Sequence, residues 1–214
     1  TDLFWTPADW AWIGGLFDVL LPAWHFGIPV ISHRSQKFDP EFTFDLISKL
    51  NIQNTFLPPT ALKMMKSFNP SSTKYKLNLR TIGSGGEALG EDLLEWGKRI
   101  LGVNINEFYG QTECNLTISN SSAIMPTKQG SIGKPVPGQE VRIMNKRGEF
   151  IKEPGVDGEI VVNYNTPVAF LKYWENDKET QNKVINGWLH TGDFAFRDDE
   201  GYFYFKGRED DIIN

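Results

Sequence analysis

The chain has 214 residues, 40% of them hydrophobic, and a formal net charge of -5. That length and apolar content suit one large or two small globular domains folding as a soluble protein. The acidic balance and the scattered Lys and Arg exclude a nucleic-acid groove, because phosphate tracking needs a dense basic face. A single cysteine, Cys114, excludes an internal disulfide and fits a reducing compartment, read as the cytoplasm. The amino end lacks the charged, apolar, small-residue succession of a signal peptide. The chain starts at Thr1 in mid-pattern and stops straight after the charged run GREDDIIN, so it reads as a piece of something longer.

Residues 10–31 are nearly all apolar, but Asp18, Pro22, His25 and the Gly14, Gly15 pair interrupt them before the roughly 20 clean apolar residues of a membrane span. A buried helix over 8–24 is expected instead, followed by a strand in GIPVIS. A helix is expected over 39–50, with Asp39 as N-cap and Pro40 at its first position. Then come a strand at 54–57, a helix near 60–67, the strand LNLRTIG, a helix over 91–101 and the strand VNINEF. Strands separated by helices imply an α/β fold, a mostly parallel sheet with flanking helices. From about Pro126, glycines and prolines punctuate the short strands QEVRIMN, GEIVVNY and GYFYFKG, which predicts a small β-rich, distorted barrel-like subdomain. The expected organisation is an α/β subdomain over 1–124, a β-rich one over 125–206, and a linking segment from 207.

Three stretches carry candidate chemistry. In TIGSGGEALGEDL, Gly83, Gly85 and Ala88 satisfy the loose dinucleotide fingerprint between a strand and a helix, with the acidic Glu107 about 20 residues on. Glu87 would then sit at the helix N-terminus, where a pyrophosphate binds, and like charges oppose that reading. A glycine edge against which a flat base lies stays open beside an ordinary strand–helix turn. In NINEFYGQTECN, Tyr109 could stack on a base, Thr112 could donate to a phosphate oxygen and Glu113 could bind Mg²⁺, a hard cation that prefers such oxygens. The alternative makes Tyr109 a core aromatic and Glu113 a helix N-terminal charge. In GWLHTGDFAFRDDEGYFYFKGREDD, Asp193 in a turn after an aromatic strand could accept both hydroxyls of a ribose, helped by Arg208. His190 reads as structural, and Asp198, Asp199 and Glu200 as a solvated hairpin loop closed by Gly201. KQGSIGKPVPG reads as turns.

Taken in order, SGGEAL, FYGQTE, GSIGKPVPG, GEI, WLHTGD and GYFYFKGREDDII resemble the acyl-CoA synthetase branch of the adenylate-forming (AMP-binding) superfamily, over practically the whole chain. The resemblance implies an acid–thiol ligase that activates a carboxylic acid with MgATP and passes the acyl group from acyl-AMP to coenzyme A. It implies that Gly86, Glu87 and Ala88 line the adenine, Glu107 binds its amino group and Tyr109 stacks on it. Thr112 would contact the α-phosphate, Glu113 hold Mg²⁺, Asp193 and Arg208 bind the ribose, and Asp210 be the hinge to a C-terminal domain. Acetyl-specific relatives carry Trp at the place of Gly110 and bulkier residues at the places of Gly14 and Gly85. A medium-chain or aryl acid is therefore expected, with Trp12, Ile13 and the Gly14, Gly15 pair as one wall of its pocket. The family's Ser/Thr/Gly-rich phosphate loop and its C-terminal lysine domain are missing from these residues, so the chain alone is expected to be inactive. Acetyl- or propionyl-CoA synthesis, a peptide-synthetase or luciferase-like adenylation domain, an NAD-dependent oxidoreductase and a non-catalytic interaction module are the alternatives.

Overall fold

The computed structural model describes residues 2–33, 35–68, 70–71 and 74–208. The chain divides into two compact units, Thr1–Glu107 and Phe108–Asn214.

In the first unit, β1 (Phe4–Trp5) is followed by a helical stretch of α1 (Ile13–Gly15), a π-helical turn (Leu16–Leu20) and α2 (Leu21–His25). Then come β2 (Val30–Ile31), α3 (Pro40–Lys49), β3 (Asn54–Phe56), α4 (Pro59–Phe68), β4 (Thr81–Gly85), α5 (Glu91–Trp96), a second π-helical turn (Gly97–Leu101) and β5 (Ile105–Gln111), which runs across the division. The strand order is β2-β1-β3-β4, and all three neighbouring pairs are parallel, as alternating helices and strands imply. The Asp39 carboxylate accepts the Phe42 N–H at 3.1 Å and Pro40 opens α3, so this helix starts where its capping residues place it. α3 buries Phe44 and Ile47, α4 buries Leu62 and Met65, and both pack with Ile82 of β4 and Trp96 of α5 in one core. Complete burial of each such aliphatic chain stabilises the unit by about 1.5–3 kcal/mol.

Three boundaries differ from expectation. The first helical stretch begins at Ile13, not residue 8, and widens just before Pro22. That proline has no N–H, and in a regular α-helix its ring would crowd the carbonyl of Asp18. LNLRTIG becomes ladder only from Thr81, because its neighbour β3 starts at Asn54, the partner of Thr81. VNINEF starts its ladder at Ile105 and continues to Gln111. Among the described residues no helix is long and apolar enough to cross a membrane.

In the second unit, the end of β5 pairs antiparallel with β6 (Asn115–Ser119), and β6 with β7 (Lys134–Pro135). A second, curled antiparallel sheet is built from β8 (Val141–Met144), β9 (Gly158–Asn163), β10 (Val184–Ile185), β11 (Trp188–Arg197) and β12 (Phe203–Arg208), with α6 (Asp177–Lys183) between β9 and β10. Its order is β10-β11-β9-β8, and β12 also pairs with β11. Inward residues alternate along β11, and the core gathers Cys114, Ile118, Ile143, Ile160, Leu189 and Phe203. Asn186 and Gly187 both have positive φ, 52° and 80°, the Asn-Gly pair of a tight hairpin turn between β10 and β11. β1, β6, β7, α6 and β10 were not anticipated. Each has two to seven residues, too few for a periodic pattern to show in the sequence.

Candidate functional site

In the first unit, Gly85 ends β4 and Gly86 turns the chain with a φ of 99°, a conformation that suits glycine. Ala88 and Leu89 lead to Gly90, the N-cap of α5. Glu87 is therefore not at the helix N-terminus. It lies three residues before the cap, exposed, with its carboxylate 3.3 Å from Lys63. The first turn of α5 instead carries Glu91 and Asp92, which oppose a pyrophosphate there for the same electrostatic reason.

Glu107, 4% exposed, accepts the Leu89 N–H at 3.0 Å, tying β5 to the glycine loop. Burial pushes its carboxyl up from 4.5 to about 7, against the opposing effect of that hydrogen bond. The Trp12 ring lies against this loop: a side chain at Gly86 would meet it at 3.7 Å. Trp12 also packs on Phe56 with ring centroids 5.8 Å apart, and a Cβ at Gly14 would come within 2.9 Å of both rings. Trp12, Gly14 and Gly86 thus converge, and Ile13 opens α1 beside them.

The raised carboxyl has a consequence for stability. Below pH 4.5 both folded and unfolded chains hold the Glu107 proton; between 4.5 and about 7 only the folded chain does, so stability falls as pH rises through that window. By pH 8 the penalty is on the order of 3 kcal/mol. Glu107→Gln, which still accepts the Leu89 N–H, is expected to flatten this part of the profile in urea unfolding between pH 4.5 and 8. Asp18, also raised to about 7 by burial, remains in both proteins and cancels in the comparison.

Tyr109 follows in the part of β5 that belongs to the second unit. In the second unit its hydroxyl donates to Asp193 Oδ2 at 2.6 Å, across 84 positions of sequence. Gln111 Nε2 donates to the same oxygen at 2.6 Å and to the Thr191 carbonyl at 3.0 Å. The other oxygen, Oδ1, faces Arg208 Nε at 3.9 Å, and Asp193 and Arg208 are partners in the β11–β12 register. Asp193 lies within β11, at an irregularity between His190 and Phe194, rather than in a turn after the strand. Burial first, then the Asp193 carboxylate, pushes the Tyr109 phenol well above its usual range, so it stays a donor.

Thr112 is exposed in the turn between β5 and β6. Next to it, Glu113 Oε1 accepts the Tyr173 hydroxyl at 2.6 Å. Among the described residues no cluster of three or more His, Cys, Asp or Glu could hold a metal by itself. Buried Cys114 is raised to about 11, mainly by desolvation, and is a thiol at neutral pH, not a nucleophile.

Gly110 has a backbone reason of its own. A Cβ there would lie 1.9 Å from the Asn115 carbonyl oxygen and 3.0 Å from Leu116 Cα, so the backbone approach at the β5–β6 irregularity excludes a side chain. Asp210 lies outside the described residues. Sequence reading missed three participants: Gln111, inside the FYGQTE motif; Glu159, inside GEI; and Tyr173, for which no local signal exists.

Residues 1–174 match the sequence profile of the AMP-binding enzyme family. The chain belongs to the AMP-binding enzymes. Among AMP-binding relatives, the mitochondrial acyl-coenzyme A synthetase ACSM2 of Rattus norvegicus is 33% identical over 100% of this chain and 37% of its own length. The acetyl-coenzyme A synthetase of Bacillus subtilis is 30% identical over 99% of this chain and 37% of its own. The anthranilate CoA ligase AuaEII, solved with anthranoyl-AMP, superposes with a TM-score of 0.90 at 27% identity, over 100% of this chain and 40% of that one. This AMP-binding chain thus spans 37% of the length of these curated relatives.

Proposed function

We propose that the chain supplies the adenosine- and metal-binding part of an acid–thiol ligase that activates a carboxylic acid with MgATP and passes the acyl group to coenzyme A. The observation that carries this reading is the meeting of Tyr109 and Asp193 at 2.6 Å. Asp193 Oδ2 is occupied by two donors while Oδ1, beside a guanidinium, is an acceptor suited to the paired hydroxyls of a ribose. Tyr109 offers the ring for stacking on adenine, and Glu107 with the 86–88 loop its polar edge. One Glu113 oxygen is held by Tyr173, leaving the carboxylate oriented for Mg²⁺, which needs only one or two carboxylates when phosphates complete its shell. When bound, Mg²⁺ neutralises charge building on phosphate oxygens. Thr112 donates to the α-phosphate as the carboxylate attacks, and Arg208 steadies the ribose and Asp193. A reducing compartment, the cytoplasm in this reading, suits the lone buried thiol.

The acid remains a medium-chain or aryl one in this proposal, resting on the Trp12, Gly14 and Gly86 surface and supported by the likeness to an anthranilate ligase. Acetate is the second reading, favoured by the Bacillus subtilis relative and by the backbone reason for Gly110. Within these 214 residues no Ser/Thr/Gly-rich phosphate loop with its Lys occurs, so the chain alone should bind nucleotide without releasing pyrophosphate.

Calorimetric titration of the chain with AMP and with NAD⁺ tests the proposal. Saturable AMP binding, weakened about tenfold in Tyr109→Ala by loss of stacking, is expected. Absent AMP binding, or NAD⁺ binding of equal strength, would overturn it.

A further inference from the structure

The β9–β11 ladder pairs His190 with Val161 and resumes at Phe194 with Glu159. Residues 191–193 of β11 therefore stand opposite Ile160 alone, and their backbone polar groups leave the ladder. Gly192 takes a φ of 73°, open to glycine, to make this bulge. A side chain then gathers what the ladder lost: Glu159 Oε1 accepts the Gly192 N–H at 2.9 Å, and Glu159 Oε2 meets His190 Nδ1 at 2.7 Å. Inside the bulge the Thr191 hydroxyl donates to the Ile160 carbonyl at 2.7 Å and accepts the Asp193 N–H at 3.1 Å.

We propose that Glu159 is a positioning residue: with one oxygen on the middle of the bulge and the other on the His190 side chain just before it, it holds the β11 register that turns the Asp193 carboxylate toward Tyr109 and the ribose. Side chains alternate along a strand, so a slip of one position would send Asp193 to the opposite face. Thr191 by itself leaves the Gly192 N–H without an acceptor, and an orphaned amide favours such a slip. Glu159 and His190 border an open groove of about 700 Å³ with Lys146, Phe150 and Trp188, so truncating Glu159 opens no sealed cavity in the core. The proposal rests on reading Asp193 as the ribose ligand.

The test compares AMP with 2′,3′-dideoxy-AMP on the full chain, together with amide hydrogen exchange. In Glu159→Ala the preference for AMP over the dideoxy nucleotide should fall about tenfold, the worth of roughly one charge-assisted hydrogen bond. Dideoxy-AMP affinity should stay within about twofold, and the Gly192 amide should exchange faster. Glu159→Gln, which keeps an acceptor for Gly192 and a polar partner for His190 Nδ1, should restore the preference. An unchanged preference in Glu159→Ala, or equal loss of both nucleotides with no rescue by Gln, would overturn the proposal. If the native chain does not distinguish the two nucleotides, the ribose assignment of Asp193 has failed, and exchange decides the positioning role by itself. Faster Gly192 exchange in Glu159→Ala then sustains it, and an unchanged rate refutes it.

Discussion

Gly133→Ala is expected to lower the unfolding free energy by more than about 4 kcal/mol, enough to leave the Phe108–Asn214 unit largely unfolded. Gly133 has a φ of 101°, and a Cβ there would stand 2.0 Å from the Ser119 carbonyl carbon, 2.1 Å from its oxygen and 2.3 Å from Asn120 N. None of these atoms can step aside. Ser119 is paired with Lys134, the Gly133 carbonyl accepts the Phe203 N–H at 2.8 Å, and Ile132 N–H donates to the Phe203 carbonyl at 3.0 Å. The Ser131 hydroxyl adds a bond to that same carbonyl at 2.9 Å. Three segments are thus drawn together at a point with room for one hydrogen. Gly138→Ala is the control: its φ is 89°, but nothing lies within 4 Å of the added carbon, so only the backbone strain of roughly 1–3 kcal/mol applies. Urea unfolding followed by near-ultraviolet dichroism separates the two, and matching midpoints would refute the close-approach argument.

Asp193→Asn is expected to weaken AMP binding about 100-fold while moving the unfolding free energy by no more than about 1 kcal/mol. The amide oxygen can take the place of Oδ2 and accept from both Tyr109 and Gln111, so the two donors keep their partner. Its NH₂ then occupies the place of Oδ1, facing Arg208 donor to donor and offering the ribose no acceptor. Loss of hydrogen bonds from two hydroxyls to a charged acceptor is worth about 3 kcal/mol, or two orders of magnitude in affinity. Asp193→Ala should lose affinity similarly but also unfold more easily, because Asp193 is 6% exposed and its removal takes an acceptor from the Tyr109 hydroxyl and from the Gln111 amide, which keeps only the Thr191 carbonyl. Native-like AMP affinity in Asp193→Asn would show that the carboxylate binds no ribose.

Much of the α/β part was legible because its signals are local. Asp39 and Pro40 mark the start of α3 by capping chemistry that involves only the next few residues. The parallel pairing of β3 and β4 follows from the helix between them. The site was legible in part for a similar reason: Tyr109, Asp193 and Arg208 sit in recognisable short motifs. What those motifs did not contain is the bond from Tyr109 to Asp193, the grip of Glu159 on Gly192 or that of Tyr173 on Glu113.

Gly110 and Gly133 mark the division. As letters they could signal a turn, a vacated pocket or a close approach, because a glycine records only that a side chain is absent; the structure shows a close backbone approach at both. Composition, capping residues and apolar period determined the classes of element and their order, since those depend on neighbours a few residues away. Which atoms fill the space beside a glycine, and which oxygen of a carboxylate is left over for a ligand, depend on segments tens of residues apart. Only the tertiary structure decides these, because packing density leaves no gap into which a misplaced atom could go.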